Sequence, residues 1–348
     1  MALDGPAMSS SCPWCGIDAH AHFFPAEWVS IVEKEGPKHG VGLGRSKHGA
    51  LTAEGGGMPF KHTFRNSMID VDYIVDAMKK ARLDLRVLSL TNPMNYWAPA
   101  GLGLELSQAY NDACGRATLR YPDNIRGAIT LPMQDPDLAL KELERAARIP
   151  GMCCVYMAMH VNGVNIGDKR FWEIFAFAEA HKLPICLHPV FPCGEERMTK
   201  QHMSNLIGNP HESAIGAFSL IFDGALDTFP NLQVLLPHAG GSFPWLVWRW
   251  DNGVKRRPEL TYMKKLASDY LRRFHYDTIS HSPQLLRYMM EMIGTDRVVI
   301  GTDYDMDAGY DLPVDVVEEI PGLTEAEKKM ILAENAYQLL NLKQRVTA

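Results

Sequence analysis

The chain lacks any apolar run approaching the ~20 residues that a membrane-crossing helix needs, so no membrane partner is expected. Its first residues, Met1 to Ser11, carry neither a basic n-region nor an apolar h-region. Secretion is therefore not expected, and a cytoplasmic location is. Basic charge is not in excess: 35 Lys and Arg stand against 41 Asp and Glu, a net charge of −6. That balance argues against a general binder of nucleic acid or anionic membrane. There is no low-complexity segment, and no glycine motif that would cradle a nucleotide or phosphate, so no organic cofactor is expected. Cysteines number seven, an odd count scattered through apparent strands, which reads as a reduced intracellular protein. Cys12-Pro13-Trp14-Cys15 has redox spacing but precedes the first strand instead of opening a helix, so a pair of packing cysteines is the favoured reading.

What is present is an ordinary globular composition: 348 residues, 46% hydrophobic and 22% charged. Continuous apolar runs, the mark of strands buried on both faces of a parallel sheet, fall at 15–24, 83–92, 125–133, 153–160, 183–190, 232–241, 274–281 and 297–305. Helical periodicity falls between and after them, at 70–82, 104–120, 137–148, 168–182, 211–229, 243–254, 282–293 and 324–342. Thr324 followed by Glu327 forms a capping-box pattern, and Asp70 with Asp72 puts acid at a helix start. Eight β/α repeats predict an α/β fold, a (β/α)₈ TIM barrel forming a single domain over 1–348. A doubly wound sheet is the alternative, but it would not normally bring residues from strands 1, 5, 6 and 8 to one point. The irregular stretch 36–67, inserted after strand 1, carries Lys38, Arg45, Lys47, Lys61 and Arg65 against the single acid Glu54. It reads either as a solvated excursion or as a basic lid that favours an anionic substrate.

His20 and His22 share one face of the first strand, because strand side chains alternate with period two. Asp18 joins that face as a candidate supporting partner. A His-x-His pair alone is weak, but barrel chemistry is built at the C-terminal strand ends. Strand 5 ends in Leu187-His188-Pro189, strand 6 in Pro237-His238-Ala239-Gly240-Gly241, and strand 8 in Gly301-Thr302-Asp303-Tyr304. Three neutral imidazoles and one carboxylate suit Zn²⁺ or another borderline divalent cation, with a position left for water or substrate.

These motifs resemble the amidohydrolase superfamily, and within it the metal-dependent decarboxylases similar to 2-amino-3-carboxymuconate-6-semialdehyde decarboxylase. The matching segments are Asp18-Ala19-His20-Ala21-His22, Thr130-Leu131-Pro132-Met133-Gln134, His160-Val161-Asn162, His188-Pro189, His238-Ala239-Gly240-Gly241-Ser242-Phe243-Pro244 and Gly301-Thr302-Asp303-Tyr304. The resemblance implies metal ligation by His20, His22, His188 and Asp303, an acid/base role for His238, and a substrate-carboxylate contact from Arg249. In that family the arginine reaches the neighbouring subunit's site, which implies a homodimer or higher homo-oligomer. The plain reading of Arg249 is an exposed residue of the Trp-rich run 245–250, whose tryptophans suit packing or an interface. Two departures bear on the substrate. Val190 stands where the family has tryptophan after His-Pro, and Lys61 stands for the arginine of its Phe-Arg segment, with Arg65 as the competing candidate. Lysine lacks the bidentate fork of arginine.

Strand 4 ends without the lysine that would bridge two metals in the binuclear hydrolases of the superfamily, so one metal is expected. Zn²⁺ is favoured and Mn²⁺ is acceptable to the same donors. The expected activity is metal-dependent, non-oxidative decarboxylation of a small unsaturated or aromatic acid in aromatic-compound catabolism. Here His238 and Asp303 are catalytic and Arg249, Lys61 or Arg65 hold carboxylates. Asp277 is expected to orient water or to cap, and His160 to be structural or substrate-facing. A mononuclear hydrolase or hydratase is the first rival, and a non-catalytic barrel scaffold the second.

Overall fold

The computed structural model describes residues 3–7, 16–46, 50–55, 58–306 and 308–345. Cys12 and Cys15 lie outside the described residues. The strands are, in chain order, β1 (Leu3–Ala7), β2 (Gly16–His22), β3 (Val41–Arg45), β4 (Leu51–Gly55), β5 (Met58–Phe64), β6 (Leu83–Ser89), β7 (Ile125–Thr130) and β8 (Met152–Ala158). After these come the short hairpin β9 (His160–Val161) and β10 (Val164–Asn165). Then follow β11 (Ile185–His188), β12 (Val234–Leu236), β13 (Phe274–Asp277), β14 (Val298–Val299) and β15 (Leu342–Arg345).

The sheet that carries the site has eight strands in the order β14-β13-β12-β11-β8-β7-β6-β2, every pair parallel. Its two edges meet. Ala19 N–H donates to the Ile300 carbonyl at 2.9 Å and His22 N–H to the Tyr304 carbonyl at 2.8 Å, closing an α/β barrel of TIM type. Every residue of β2, β7, β8 and β11 is buried, as their apolar sequences require. The strands prove shorter than the apolar runs, because each run continues past the last ladder bond into the loop that builds the site.

Helices fill the crossovers: α1 (Ala26–Glu35), α2 (Val71–Lys80), α3 (Ala100–Arg120), α4 (Pro136–Ala146), α5 (Trp172–His181), α6 (Asn209–Phe222), α7 (Ala225–Thr228) and α8 (Phe243–Arg256). The last are α9 (Pro283–Ile293), α10 (Pro313–Glu318), α11 (Glu325–Lys329) and α12 (Asn335–Leu339). Their starts follow the local sequence. Asp70 accepts from Asp72 N–H and Asp135 from Leu138 N–H, while Thr324 and Glu327 make the expected reciprocal box. The expected helix at 324–342 is interrupted by a π-helical turn, Met330–Glu334, between α11 and α12. No described helix is long and apolar enough to cross a membrane.

The segment 36–67 corrects the expectation of an irregular excursion. It holds an antiparallel meander, β3-β4-β5, with Leu51, Thr52 and Ala53 buried. Its Gly- and polar-rich composition hid the strands. The parallel pairing of β1 with β15 was likewise not anticipated.

Candidate metal centre

Residues expected from four separate strand ends meet in space. The ring centroids of His20, His22 and His188 lie 4.9–5.1 Å apart, and that of His238 is 5.5 Å from those of His20 and His188. Asp303 Oδ1 lies 2.8 Å from His22 Nε2 and 3.6 Å from His20 Nε2, and its Oδ2 lies 3.7 Å from His238 Nε2. One donor atom each from His20, His188, His238 and Asp303 fall within 4.8 Å of one another.

The outward nitrogens reveal how the rings are set. His20 Nδ1 donates to Asp277 Oδ2 at 2.8 Å, and a carboxylate can only accept, so His20 Nε2 is left bare. The Ser89 hydroxyl donates to the Ala21 carbonyl at 2.8 Å, so its oxygen accepts from His22 Nδ1 at 3.2 Å, and His22 Nε2 is bare too. His188 Nδ1 lies 3.3 Å from Thr91 Oγ1. His20 Nε2 and His188 Nε2 are buried without a hydrogen-bond partner. A bare His22 nitrogen facing a carboxylate oxygen at 2.8 Å needs a proton or a cation between the two lone pairs. These donors fit a divalent metal ion: three imidazoles with Nε2 inward, each oriented by an outer partner, and one carboxylate.

Electrostatics favour the neutral ring at two of the three imidazoles. Burial pushes His22 down, and pushes His188 well down with help from the neighbouring imidazoles. Burial opposes ionisation of Asp303, but His22, His238 and His20 overcome it and hold its carboxyl well below the usual range. For His20, burial is outweighed by Asp277 and Asp303, which raise its pKa.

The supporting residues depart partly from expectation. Asp277 does not face the cavity as a water-orienting group. Its Oδ2 accepts from His20, and its Oδ1 accepts from Ala239 N–H at 2.8 Å and Ile279 N–H at 3.0 Å. It thereby ties the metal cluster to the loop that carries His238. Asp18 is turned away from the rings, accepting from Arg86 Nε at 2.8 Å, Thr302 Oγ1 at 2.6 Å and the His20 and Thr302 backbone N–H groups. It pins the closing seam of the barrel directly behind two ligands. Ser89 and Thr91 escaped sequence reading. The available signal was two hydroxyl residues at i, i+2 where the second barrel strand ends.

His238, Ala239 and Asp303 all adopt positive φ, 54°, 52° and 53°, conformations that L residues hold at a cost when the surroundings fix them. Gly241 makes the turn after His238 possible, since a Cβ there would stand 2.1 Å from the Pro210 carbonyl oxygen. A cavity of about 220 Å³ opens at this point, and His238 and Asp303 are the two members of the cluster that line it. Asn209, Trp245, Ile279 and His281 line it too, and none of these was singled out from sequence as touching substrate. Trp245 is half exposed and stacks on Tyr288, whereas Trp250 packs among Phe218, Phe222 and Phe243, so the Trp-rich run divides between cavity wall and core.

Neither Arg65 nor Arg249 lines the cavity. Arg65 Nη1 donates to Asp305 Oδ1 at 2.6 Å, beside the strand 8 end. The side chain of Lys61 lies outside the described residues. Arg249 is exposed on α8, away from the cavity lining, with no partner for its guanidinium among the described residues. His160 belongs to the β9–β10 hairpin, its Nδ1 accepting from Gly163 N–H and its Nε2 lying 3.1 Å from the Phe191 carbonyl, apart from the cluster.

The amidohydrolase family model matches residues 17–342, which include every ligand candidate. The chain belongs to the amidohydrolase family. Within it, the chain is 30% identical over 331 residues to 2-amino-3-carboxymuconate-6-semialdehyde decarboxylase of Dictyostelium discoideum, covering 94% of this chain and 91% of that one. It is 27% identical over 299 residues to gamma-resorcylate decarboxylase of Polaromonas sp. strain JS666, covering 80% and 90%. The structure of 5-carboxyvanillate decarboxylase from Novosphingobium aromaticivorans, complexed with manganese and a nitrobenzoic acid, superposes with a TM-score of 0.80 at 20% identity. It covers 98% of this chain and 100% of that one. At that identity the likeness is one of fold.

Proposed function

We propose that this amidohydrolase is a metal-dependent carboxy-lyase that removes CO₂, without oxidation, from a small aromatic or unsaturated acid bearing hydroxyl or amino groups, or from a muconate-semialdehyde. The observation that carries this is the inward convergence of three Nε2 atoms and Asp303 beside a cavity that His238 also lines. The decarboxylase relatives support it, and a hydrolase or hydratase is not favoured.

In this reading His20, His22, His188 and Asp303 hold one divalent ion, Zn²⁺ or Mn²⁺, and manganese in a decarboxylase of like fold supports the second. When bound, the ion supplies Lewis acidity to the substrate oxygen next to the breaking bond. The C–CO₂ bond breaks, its electron pair stays on the ring or chain carbon, and His238 delivers a proton to that carbon. Asp303, 3.7 Å from His238 Nε2, stabilises the imidazole while it carries the proton. His22 is buried deeper than His238 and does not line the cavity, which favours ligation by the first and proton transfer by the second.

Arg249 acts on the substrate carboxylate from a second copy of the chain, in a homodimer or larger homo-oligomer. Its exposure away from its own cavity supports this. Lys61 is the alternative within the chain, since Arg65 is engaged by Asp305. Residues 1–348 act as one barrel domain with 36–67 as a lid, in the cytoplasm, in aromatic-compound catabolism. Product analysis tests the reading. Mn²⁺-loaded protein given hydroxylated and aminated benzoates and muconate-type acids is expected to yield CO₂ and a product lighter by that group. A product heavier by one water, with no CO₂, would establish the hydrolase or hydratase instead.

A further inference from the structure

Of the three inward-facing imidazoles, His188 has the weakest hold on its outer nitrogen. Its Nδ1 lies 3.3 Å from Thr91 Oγ1, whereas His20 Nδ1 is 2.8 Å from Asp277 and His22 Nδ1 is 3.2 Å from Ser89. The direction of its ring therefore depends more on how the main chain around it is held. The β9–β10 hairpin holds it. Asn162 and Gly163 form the hairpin's turn with φ of 49° and 86°, the left-handed pair that so tight a turn needs and that Asn-Gly adopts most readily.

Residues 159 and 160, at the hairpin's entry, grip both ends of the segment 188–191. Met159 N–H donates to the His188 carbonyl at 3.1 Å. His160 Nδ1 accepts from Gly163 N–H at 3.2 Å, so the proton of the neutral ring is on Nε2, which donates to the Phe191 carbonyl at 3.1 Å. Phe191 has a φ of 45°, which a residue with a side chain holds only when its surroundings fix it. Pro189 and Val190, both buried, leave little slack between Phe191 and His188. On the other side Asn162, exposed at the turn, donates through Nδ2 to the Tyr96 carbonyl at 2.9 Å. Tyr96 belongs to the loop between β6 and α3, which also carries Thr91.

We infer that His160 and Asn162 are positioning residues for the metal centre. Together they aim the His188 imidazole, one by fixing the chain just past it and the other by fixing the loop that holds its outer nitrogen. Neither lines the cavity or joins the cluster, so both act through His188. The inference rests on the metal-centre reading above. An imidazole lone pair is directional, and hydrogen bonds that orient a ligand ring typically carry about 10–100-fold of metal affinity.

The two nitrogens of the ring have separate amide mimics. An asparagine oxygen falls where Nδ1 stands, and a glutamine NH₂ falls where Nε2 stands. His160→Gln therefore keeps the bond to Phe191, whereas His160→Asn keeps only the bond to Gly163. Mn²⁺ affinity is measured by competition with a chromogenic chelator, beside the Tm of the metal-free protein. His160→Asn is expected to weaken binding by about tenfold and His160→Gln by less than about twofold, at closely similar Tm. Glycine accepts the positive φ of residue 162 without strain. Asn162→Gly is expected to weaken binding by about fivefold, and it decides the matter if His160→Asn does not fold. In a Thr91→Ala background the loss from His160→Asn is expected to shrink, because both changes act on one ring. In a Ser89→Ala background, which acts on His22, the losses are expected to multiply. Equal losses in the His160→Asn and His160→Gln proteins, or full multiplication with Thr91→Ala, would overturn the inference. So would affinities within about twofold of the parent in His160→Asn and Asn162→Gly. A parent protein that binds no Mn²⁺ would instead remove the metal-centre reading, and this inference with it.

Discussion

Asp277 accepts the Nδ1–H of His20 through Oδ2 at 2.8 Å and, through Oδ1, fixes the backbone of the His238 loop at Ala239. One buried carboxylate thus sets both the tautomer of a metal-ligand candidate and the position of the proposed acid/base. Outer partners of this kind typically contribute about 10–100-fold to metal affinity. Asp277→Ala is expected to weaken Mn²⁺ binding by roughly that factor, as measured by competition with a chromogenic chelator. Ser89→Ala, which removes the acceptor for His22 Nδ1 and the donor to the Ala21 carbonyl, is expected to act in the same direction without disturbing the His238 loop.

His238 separates binding from chemistry. His238→Ala is expected to retain one equivalent of metal while kcat falls by about 10²–10⁴, the usual range for a general acid or base. Elemental analysis and steady-state CO₂ release check the two halves. A fall in KM-independent turnover with metal retained fits proton transfer, whereas loss of the metal would make His238 a ligand.

Arg249 offers a test of assembly. Arg249→Ala and His238→Ala proteins are each expected to be poorly active alone. If Arg249 serves the other copy's cavity, a mixed dimer has one site with an intact His238 facing an intact Arg249. Mixing the two variants after mild dissociation is then expected to restore activity, read as CO₂ release.

Away from the site, His275 gives stability a pH dependence. Burial, reinforced by Arg297, pushes its imidazole down to about 4 from 6.5. The folded pKa lies below the unfolded one, so the unfolded chain binds the extra proton first and stability falls as pH drops from about 6.5 to about 4. The full loss is about 3 kcal/mol by linkage. His275→Gln, which cannot titrate, is expected to flatten this part of the profile relative to the parent, measured as Tm against pH.

How much of this was legible in the chain depends on the length scale of each signal. The eight barrel strands announced themselves because burial on both faces demands continuous apolar runs, as in β8 and β11. His20, His22, His188, His238 and Asp303 were legible because all lie at strand ends, where barrel topology alone brings them together. The roles of Asp277, Ser89 and Thr91 were not, since hydrogen-bond direction depends on which ring nitrogen faces inward, and spacing does not encode that. Nor was the β3-β4-β5 meander, in which the half-exposed, glycine-bearing β3 and the short β4 lack a sustained alternation. His281, Asn205 and Asn209 come to the cavity through a left-handed residue and a π-helical turn, local geometries with no periodic signature.

In the proposed function one metal ion, held by His20, His22, His188 and Asp303, enables CO₂ loss. Its most direct test is to strip the protein with chelator and follow CO₂ release from its best hydroxylated acid as Mn²⁺ is added back. Release is expected to be negligible at the start and to rise linearly until a break at one equivalent per chain. Release from the stripped protein, or a break at two equivalents, would contradict it.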